Sequence, residues 1–233
     1  MAPGSRPGLR GGTLICTSLC AQAPSELAAK ARMALAQGSD LIEFRLDLLR
    51  PTAVPELAKE LSPFSARAVF TVRRKDEGGG LARESERLAL IRRAAEIGPA
   101  YFDVELRTLE ENPDLARSGL GVRLVVSWHG LSGTPNRARL LSLLARARSY
   151  GGLAKIVPAA ARATDNLAIL SLYDAQGPPP IAFCMGQVGL FSRVVAMDRG
   201  TPLAYASLDA EATAEGQLPL GTMLAVRRRL EDA

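Results

Sequence analysis

The feature that most constrains this sequence is an eightfold alternation of short apolar runs with longer segments of helical spacing. Runs rich in β-branched or large apolar residues begin about 20 to 33 residues apart, and most intervals carry Ala, Leu, Arg and Glu at the spacing of an amphipathic helix. The predicted strands are residues 13–18, 41–46, 68–72, 101–106, 123–128, 153–157, 181–184 and 202–206. Eight strand–helix units in 233 residues predict an α/β chain folded as a single (β/α)8 TIM barrel. A doubly wound open sheet more often has five or six strands.

The sequence predicts one folded domain preceded by a short tail. Residues 13–233 are predicted to form the barrel, since no linker, internal repeat or block of charge divides them. Residues 1–12, rich in Gly, Pro and Arg, are predicted to be a flexible tail. Arg10 and the apolar stretch after it resemble a secretory signal, but interspersed hydroxyl residues favour a first strand. No run approaches the ~18 apolar residues of a membrane span, so no membrane association is expected.

Charge and cysteine content narrow the possible functions. The net charge of +5 is spread along the chain, which favours an anionic small-molecule partner over nucleic acid. The three cysteines form no CxxC pair, which argues against a disulfide framework or a zinc site and favours the reducing cytoplasm. The chain has one histidine and few lysines, so any amine nucleophile or near-neutral acid–base group comes from a short list.

Side-chain parity places an unusual set of residues inside the predicted barrel. Successive strand residues face opposite sides of a sheet, and in each central strand the apolar set alternates with a polar set. If the apolar faces pack on the helices, the inner faces converge on a charged cluster that is either internally paired or built around a polar ligand. The inward set comprises Glu43, Arg45, Asp47, Thr71, Arg73, Asp103, Glu105, Ser127, His129 and Lys155.

Lys155 and His129 are the candidate reactive groups of this cluster. Lys155 lies among apolar neighbours on a central strand, where desolvation disfavours the ammonium form, and a neutral amine can attack a ketone to form a Schiff base. The alternative is a structural lysine in a salt bridge with Glu43 or Glu105. His129 ends a strand and can transfer protons near neutral pH, or it is a hydrogen-bonded structural residue.

Two loop segments extend the candidate site. Glu77 follows the third strand and can orient an imidazole, or it is a solvated loop charge. Residues 185–193 follow the seventh strand, where barrels often bind phosphate on backbone N–H groups. Arg193 can instead bind a carboxylate with two parallel hydrogen bonds, so this segment indicates an anion site without identifying the anion.

The residues resemble one family along most of the chain, from residue 13 to about 220: the type I 3-dehydroquinate dehydratases. Six motifs occur in the order typical of that family, with the single histidine and one of the lysines at the required positions. The motifs are Glu43-Phe44-Arg45-Leu46-Asp47, Phe70-Thr71 with Arg73 and Glu77-Gly78-Gly79, Ser127-Trp128-His129 with Thr134-Pro135, Lys155-Ile156, Met185-Gly186 with Ser192-Arg193, and Thr213-Ala214-Glu215-Gly216-Gln217.

The resemblance implies the dehydration of 3-dehydroquinate to 3-dehydroshikimate, the third step of the shikimate pathway, without a metal or organic cofactor. It implies catalytic roles for Lys155 as the Schiff-base nucleophile, His129 as the general acid–base and Glu77 as the group that orients it. The implied substrate-binding residues are Ser18, Glu43, Arg45, Arg73, Arg193, Thr213 and Gln217, the last two on a closing loop. A cytoplasmic homodimer is also expected from the family.

The chain departs from the family pattern at three positions. Gly130 stands where an acidic or amide residue more often follows the histidine. In the closing loop Thr213 replaces the usual serine and Glu215 the usual proline, which keeps a hydroxyl group and adds a charge. These departures leave the local support of the histidine and the stiffness of the loop open.

Two other functions compete with this interpretation. A class I aldolase or transaldolase is similar in carrying its Schiff-base lysine on the sixth barrel strand, but a sugar-phosphate enzyme would be expected to have a clearer phosphate-binding glycine loop. An arginine-rich nucleic-acid binder is suggested by Arg137, Arg139, Arg146 and Arg148 on one predicted helix. Against it, aromatic residues make up only 5% and no base-reading motif is present.

Overall fold

The computed structural model describes residues 12–117, 120–209 and 214–232, in which strands and helices alternate along the chain as predicted. The strands are β1 Leu14–Leu19, β2 Leu41–Arg45, β3 Ala68–Thr71, β4 Tyr101–Glu105, β5 Arg123–Gly130, β6 Leu153–Pro158, β7 Ile181–Ala182, β8 Leu203–Ser207 and β9 Leu218–Pro219. The helices are α1 Pro24–Ala36, α2 Leu57–Leu61, α3 Glu84–Ala95, α4 Leu106–Glu111, α5 Pro113–Arg117, α6 Arg137–Arg148, α7 Ala163–Leu170, α8 Leu190–Asp198 and α9 Leu220–Glu231. The predicted tail, apart from Gly12, lies outside the described residues.

The strands form one curled parallel sheet, which confirms the predicted (β/α)8 barrel. Their order is β7-β6-β5-β4-β3-β2-β1-β8-β9, so β1 pairs with both β2 and β8. The strand β9 was not predicted, because its two residues carry no alternation; it pairs with the end of β8. Across the sheet, Ser127 of β5 lies opposite both Glu105 of β4 and Lys155 of β6. The register therefore brings polar residues of three strands to the same level of the barrel.

The outer face of the sheet is apolar and packs on the helices, as the parity argument predicts. Phe44, Phe70 and Phe102 are fully buried, and their rings meet edge to face with centroids 5.7 and 6.3 Å apart. Helix α6 begins after Asn136, whose side chain accepts a hydrogen bond from the Arg139 backbone N–H at 3.0 Å, an N-cap that fixes the start of this helix.

The barrel interior changes character from one end to the other. Strand β4 shows this change: Tyr101, Asp103 and Glu105 all point inward. Near the amino ends of the strands the interior is apolar, with Tyr101 packed among residues such as Val69 and Leu203. Towards the carboxyl ends the same alternation supplies the acids Asp103 and Glu105. The polar site is thus confined to the end of the barrel where active sites of this fold lie.

The helices bear on two questions that the sequence raised, a membrane span and nucleic-acid binding. The described helices include none that is long and apolar enough to cross a membrane. On α6, Arg146 binds Glu110, Arg148 donates to the Gln176 carbonyl at 2.7 Å, and Arg137 donates to Ser171. Three of the four arginines that suggested nucleic-acid binding are therefore already bonded to the protein.

Candidate active site

A cavity of about 510 Å³ opens at the carboxyl ends of the strands. It brings together nine of the ten residues that the sequence analysis assigned to the site; the tenth, Thr213, lies outside the described residues. The nine are Ser18, Glu43, Arg45, Arg73, Glu77, His129, Lys155, Arg193 and Gln217.

Lys155 projects from β6 into this cavity and is held mainly by Asp103. Its Nζ lies 2.9 Å from Asp103 Oδ2 and 3.8 Å from Glu43 Oε1, and it sits 3.9 Å from the centroid of the Tyr205 ring. Burial alone would raise the pKa of Asp103, but the charges of Arg73 and Lys155 hold it well below its usual range. The lysine is therefore buried, charge-compensated and aimed at a space that a small molecule can enter.

The partners expected for Lys155 in the structural alternative need one correction. Glu43 does lie near the amine, but Glu105 does not pair with it. The Glu105 carboxylate instead accepts hydrogen bonds from Arg73 at 3.0 Å and Arg87 at 2.9 Å. Because two guanidinium groups already neutralise Glu105, the nearer carboxylate of Asp103 becomes the lysine's counter-ion.

Arg73 fixes the centre of the charged cluster. Its Nη1 donates to Glu105 at 3.0 Å and to Ser127 at 2.7 Å, while its Nη2 donates to Asp103 at 3.0 Å. The charges of the inner face are thus internally paired, as one of the two sequence interpretations expects, and they also line a cavity. Among the described residues, no group of three or more His, Cys, Asp or Glu side chains is arranged to hold a metal ion.

Residues of β1, β2 and β3 form the opposite wall. Ser18 and Thr71 both donate hydroxyl hydrogen bonds to the Glu43 carboxylate, the latter at 2.8 Å. Arg45 is bound by both oxygens of Asp47, at 2.9 and 2.8 Å, and also donates to the Gly78 carbonyl. The cavity therefore presents a preorganised row of hydroxyl, carboxylate and guanidinium groups, suited to a polyhydroxylated ligand.

Glu77 holds His129 at the cavity edge. Glu77 Oε2 lies 3.0 Å from His129 Nδ1 and accepts the His129 backbone N–H at 2.8 Å. The Glu77 side chain is only 8% exposed, so it is not a solvated loop charge. With Nδ1 engaged in this way, His129 Nε2 is the ring nitrogen left to exchange a proton with a ligand.

The loop after β3 explains how Glu77 reaches the histidine. Residues Lys75–Glu77 form one turn of 3-10 helix, which ends at Gly78 in the left-handed conformation with φ of 92°. The next residue passes so close to the preceding backbone that a Cβ at Gly79 would lie 1.9 Å from the Arg73 carbonyl oxygen. Gly78 and Gly79 are therefore required for the tight turn that returns Glu77 to β5.

Burial controls the protonation of this pair. Burial, assisted by the negative charge of Glu105, raises the pKa of Glu77 to about 8. Burial, assisted by the positive charges of Arg73 and Lys155, lowers the pKa of His129 well below its usual value. The imidazole is thus neutral at pH 7 and able to accept a proton.

Arg193 is the cation of the cavity that lacks an acidic partner among the described residues. It lies in α8, is 4% exposed, and stacks its guanidinium 4.4 Å from the Phe183 ring centroid. Its Nε has no hydrogen-bond partner, its contact with the Glu215 carbonyl is long at 3.5 Å, and burial lowers its pKa to about 10. A buried cation with unused donors attracts an anionic group of a ligand.

The end of the closing loop lies against the same part of the cavity. The Gly186 N–H donates to the Glu215 carbonyl at 3.2 Å, and a Cβ at Gly216 would lie 2.4 Å from the Gly186 carbonyl oxygen. Gln217 lines the cavity, and its side-chain oxygen accepts the Ala214 N–H at 3.2 Å. Gly216 thus permits a close approach that places Gln217 beside the anion-attracting wall.

The space beside His129 accounts for one departure from the family pattern. A Cβ at Gly130 would lie 2.3 Å from the Trp128 ring. In this chain the indole therefore occupies the place where a side chain at position 130 would start, so support of the histidine strand comes from Trp128 on its outer face.

Sequence reasoning missed several functional neighbours. Parity had placed Asp103, Glu105 and Ser127 on the inner face, yet it gave no means of telling which of them would contact the lysine. Tyr205 carried no signal beyond its place in an apolar strand. Arg87 did carry one, since it occupies a core position of α3 on the same buried face as Leu90, Ile91 and Ala94.

Comparisons with known proteins show which family this chain belongs to. The family model for Type I 3-dehydroquinase matches residues 15–232. The 3-dehydroquinate dehydratases of Desulfotalea psychrophila and Pyrococcus abyssi are 35% and 37% identical to this chain, over 82% and 89% of it and 88% and 94% of their own lengths. A crystal structure of 3-dehydroquinate dehydratase from Geobacillus kaustophilus aligns with a TM-score of 0.85 at 26% identity, covering 94% of this chain and 91% of that one.

The raised pKa of Glu77 predicts how its removal changes stability. An ionised Glu77 is disfavoured in the folded state, so the parent protein loses stability as the pH rises from about 4.5 to about 8. Glu77→Gln cannot ionise and is expected to be increasingly more stable than the parent over that range, by up to a few kcal/mol since each pKa unit is worth about 1.4 kcal/mol. Urea unfolding at a series of pH values measures the difference.

Asp47→Asn provides a control of opposite sign. Burial alone would raise the pKa of Asp47, but its hydrogen bonds from Arg45 lower it overall. The parent therefore gains stability as Asp47 ionises, and Asp47→Asn is expected to be less stable than the parent at neutral pH.

A stability gap between Glu77→Gln and the parent that does not change between pH 5 and pH 8 would contradict the assignment of a buried, proton-holding Glu77.

Proposed function

Since this chain belongs to the type I 3-dehydroquinase family, whose members dehydrate 3-dehydroquinate, we propose that it carries out this hydro-lyase reaction through a Schiff base on Lys155. The observation that carries the proposal is the position of a buried lysine, a neutral histidine and an uncompensated arginine around one cavity. The first supplies the nucleophile, the second the proton transfer, and the third the attraction for the substrate carboxylate.

Covalent activation is the role of Lys155. The amine attacks the ring ketone of 3-dehydroquinate, and loss of water from the carbinolamine gives an imine. The imine draws electrons from the neighbouring C–H bond and so makes its proton acidic. The Asp103 carboxylate, 2.9 Å from Lys155 Nζ, stabilises the positive charge of the protonated imine nitrogen. The lysine itself thereby provides the electron sink that the reaction needs.

Proton transfer is the role of His129. In its neutral form the imidazole removes the acidified proton and leaves an enamine; it then returns a proton to the departing hydroxyl group, which leaves as water. Glu77 holds Nδ1 throughout and keeps the imidazole ring oriented towards the substrate. Hydrolysis of the imine releases 3-dehydroshikimate and restores Lys155.

Substrate positioning falls to the two walls of the cavity. Arg193 binds the carboxylate, while Gln217 and Thr213 close over it and the adjacent hydroxyl. Ser18, Glu43, Arg45 and Arg73 fix the ring hydroxyls, which suits the preorganised row that these residues form. Closure of the loop would exclude water from the imine until the hydroxyl has left.

The aldolase alternative is weaker on the same geometry. A sugar-phosphate enzyme needs free backbone N–H groups after the seventh strand. Here the Gly186 N–H is bonded to Glu215 and the Gly189 N–H to the Gly186 carbonyl at 3.0 Å. The two glycine N–H groups of this segment are therefore engaged within the protein, whereas the Arg193 guanidinium has an unused donor for a carboxylate.

The proposal extends to the cellular role. A 3-dehydroquinate dehydratase serves the shikimate pathway of aromatic amino-acid biosynthesis, and its substrate is a cytoplasmic metabolite. The free thiols of Cys16, Cys20 and Cys184 support a reducing compartment. Neither nucleic acid nor a membrane has a role in the proposed reaction, and it requires no metal or organic cofactor.

Borohydride trapping tests the nucleophile. With 3-dehydroquinate present, borohydride is expected to reduce the imine to a stable adduct, located by mass spectrometry on the peptide that carries Lys155. Lys155→Ala is expected to lose both the adduct and turnover. His129→Ala is expected to lose turnover, by about a hundredfold or more, yet still to form some adduct, because the imine precedes proton removal. An undiminished adduct in Lys155→Ala would refute the assignment.

The anion site is tested at Arg193. Arg193→Leu is expected to raise KM for 3-dehydroquinate at least about tenfold, with a smaller effect on kcat, because a charge-assisted contact to the carboxylate is lost. The control is Arg199→Leu, since Arg199 lies at the end of the same helix and pairs with Asp174 far from the cavity. Equal KM values for the two variants would exclude Arg193 from substrate binding.

A homodimer is proposed from the family, and one surface supports it. The exposed side chains are Leu167 on α7, Phe191 in the first turn of α8 and Val188 in the segment just before α8. A hydrogen bond from Asn166 Nδ2 to the Val188 carbonyl at 2.9 Å joins this segment to α7. Sedimentation equilibrium is expected to give twice the chain mass for the parent and a shift towards monomer for Phe191→Glu. A monomeric parent at micromolar concentration would exclude the dimer.

A further inference from the structure

Helix α3 buries a charged residue on the face that packs against the barrel. Arg87 is 1% exposed and lies one turn before Leu90 and Ile91, which are also buried. It is not among the residues that line the active-site cavity, so the proposed reaction gives it no role. A guanidinium at a core position costs free energy unless all its donors are satisfied, and its presence therefore requires an explanation.

Every arm of this guanidinium is bonded. Nη1 donates to Glu105 Oε2 and to the Val72 carbonyl, each at 2.9 Å. Nη2 donates to the Thr108 hydroxyl at 2.6 Å and to Glu84 at 2.7 Å, and Nε donates to the second Glu84 oxygen at 2.8 Å. Arg87 thus connects the solvent-facing Glu84 with a fully buried carboxylate.

Stability alone does not account for this pair. Replacing a buried ion pair by apolar residues of similar volume is often neutral or stabilising, because the two charges must first be removed from water. The pair therefore has a second use, and the position of Glu105 indicates what it is. Glu105 Oε2 is held by Arg87 and Thr108, and this orients Oε1 towards Arg73 at 3.0 Å and the Arg74 N–H at 3.1 Å.

From Arg73 the contacts continue to the reactive amine. Arg73 Nη2 and Lys155 Nζ both donate to the same atom, Asp103 Oδ2, at 3.0 and 2.9 Å. Because the two cations share one oxygen atom, the strength of the Asp103–Lys155 contact depends on whether Arg73 keeps its own hydrogen bond to that atom. Arg73 keeps this bond because Glu105 fixes the other nitrogen of its guanidinium, Nη1.

We propose that Arg87 is a positioning residue for Lys155, acting through Glu105, Arg73 and Asp103. Without Arg87, the Glu105 carboxylate is free to turn both oxygens to Arg73 and draw that guanidinium away from Asp103. Asp103 Oδ2 is then left with Lys155 as its only cation and holds the amine more tightly, so that the amine is less free to reach the ketone. Loss of Arg87 thus slows imine formation, whereas Arg193 and the residues Ser18, Glu43 and Arg45 remain in place to bind the substrate.

This inference rests on the proposed function, and the rate of Lys155 trapping tests it. Parent and Arg87→Met are mixed with saturating 3-dehydroquinate and quenched with borohydride at increasing times, and the Lys155 adduct is quantified by mass spectrometry. Arg87→Met is expected to form the adduct about ten- to a hundredfold more slowly, with a similar fall in kcat and a KM within about threefold of the parent.

Ile91→Ala is the matched control for a merely structural role. Ile91 is fully buried one turn further along α3, and its apolar side chain forms none of the hydrogen bonds described above, so its truncation loosens the same helix. All rates are measured at a temperature where circular dichroism shows each variant folded. Trapping by Arg87→Met at a rate within twofold of Ile91→Ala would overturn the positioning role while leaving the nucleophile established.

Two further results of this experiment also have a definite interpretation: failure of Arg87→Met to fold, and absence of an adduct in the parent. Should Arg87→Met not fold, Arg87→Lys replaces it, because lysine keeps the charge but cannot donate to Glu105, Glu84, Thr108 and Val72 together. For that variant a trapping rate at least about fivefold below Ile91→Ala supports the inference, and any smaller deficit overturns it. Absence of any Lys155 adduct in the parent would overturn the proposed mechanism itself, and this inference with it.

Discussion

The active end of this barrel depends on one buried carboxylate, Asp103, held between two cations. Removing a carboxylate from water costs several kcal/mol by order of magnitude unless it is compensated, and here Arg73 and Lys155 compensate it at the same oxygen. The surrounding charges follow from this arrangement. Arg73 needs Glu105 to fix its remaining arm, and Glu105 in turn needs Arg87. A chain of alternating charges therefore runs from a surface helix to the reactive amine.

Burial, reinforced by the same charges, sets the protonation state of the acid–base pair. The positive groups near His129 oppose a further positive charge on its ring, and the negative charge of Glu105 opposes ionisation of Glu77. A neutral imidazole at pH 7 is what a general base requires. The burial of Glu77 beside it costs stability as the pH rises and this carboxyl group ionises. The site thus illustrates how a catalytic arrangement retains groups that a maximally stable barrel would not contain.

Two buried cations of the cavity have opposite environments, and this difference divides their functions. Lys155 has a carboxylate within hydrogen-bonding distance, whereas Arg193 has an aromatic ring and one long contact to a carbonyl. In the proposed reaction the lysine therefore enters a covalent cycle in which the protein supports its charge. In the same proposal the charge of the arginine is available for the carboxylate of the substrate. The fold produces this contrast because Lys155 lies on strand β6, inside the barrel, whereas Arg193 lies on helix α8, which follows the short strand β7.

Local periodicity in the sequence determined the barrel and the faces of its strands, because alternation along a strand and helical spacing are properties of neighbouring residues. It therefore also determined that Glu43, Arg73, Asp103 and Lys155 would point inward at one end, and the family motifs indicated which inward residues to propose as reactive groups. Tertiary structure alone decided that Asp103 and not Glu105 is the partner of Lys155, and that Arg87 completes the cluster from outside the barrel. These pairings join residues far apart in sequence, and they depend on strand register, side-chain torsions and competition among several charges for the same oxygen atoms. No pattern within a single element of the chain contains that information.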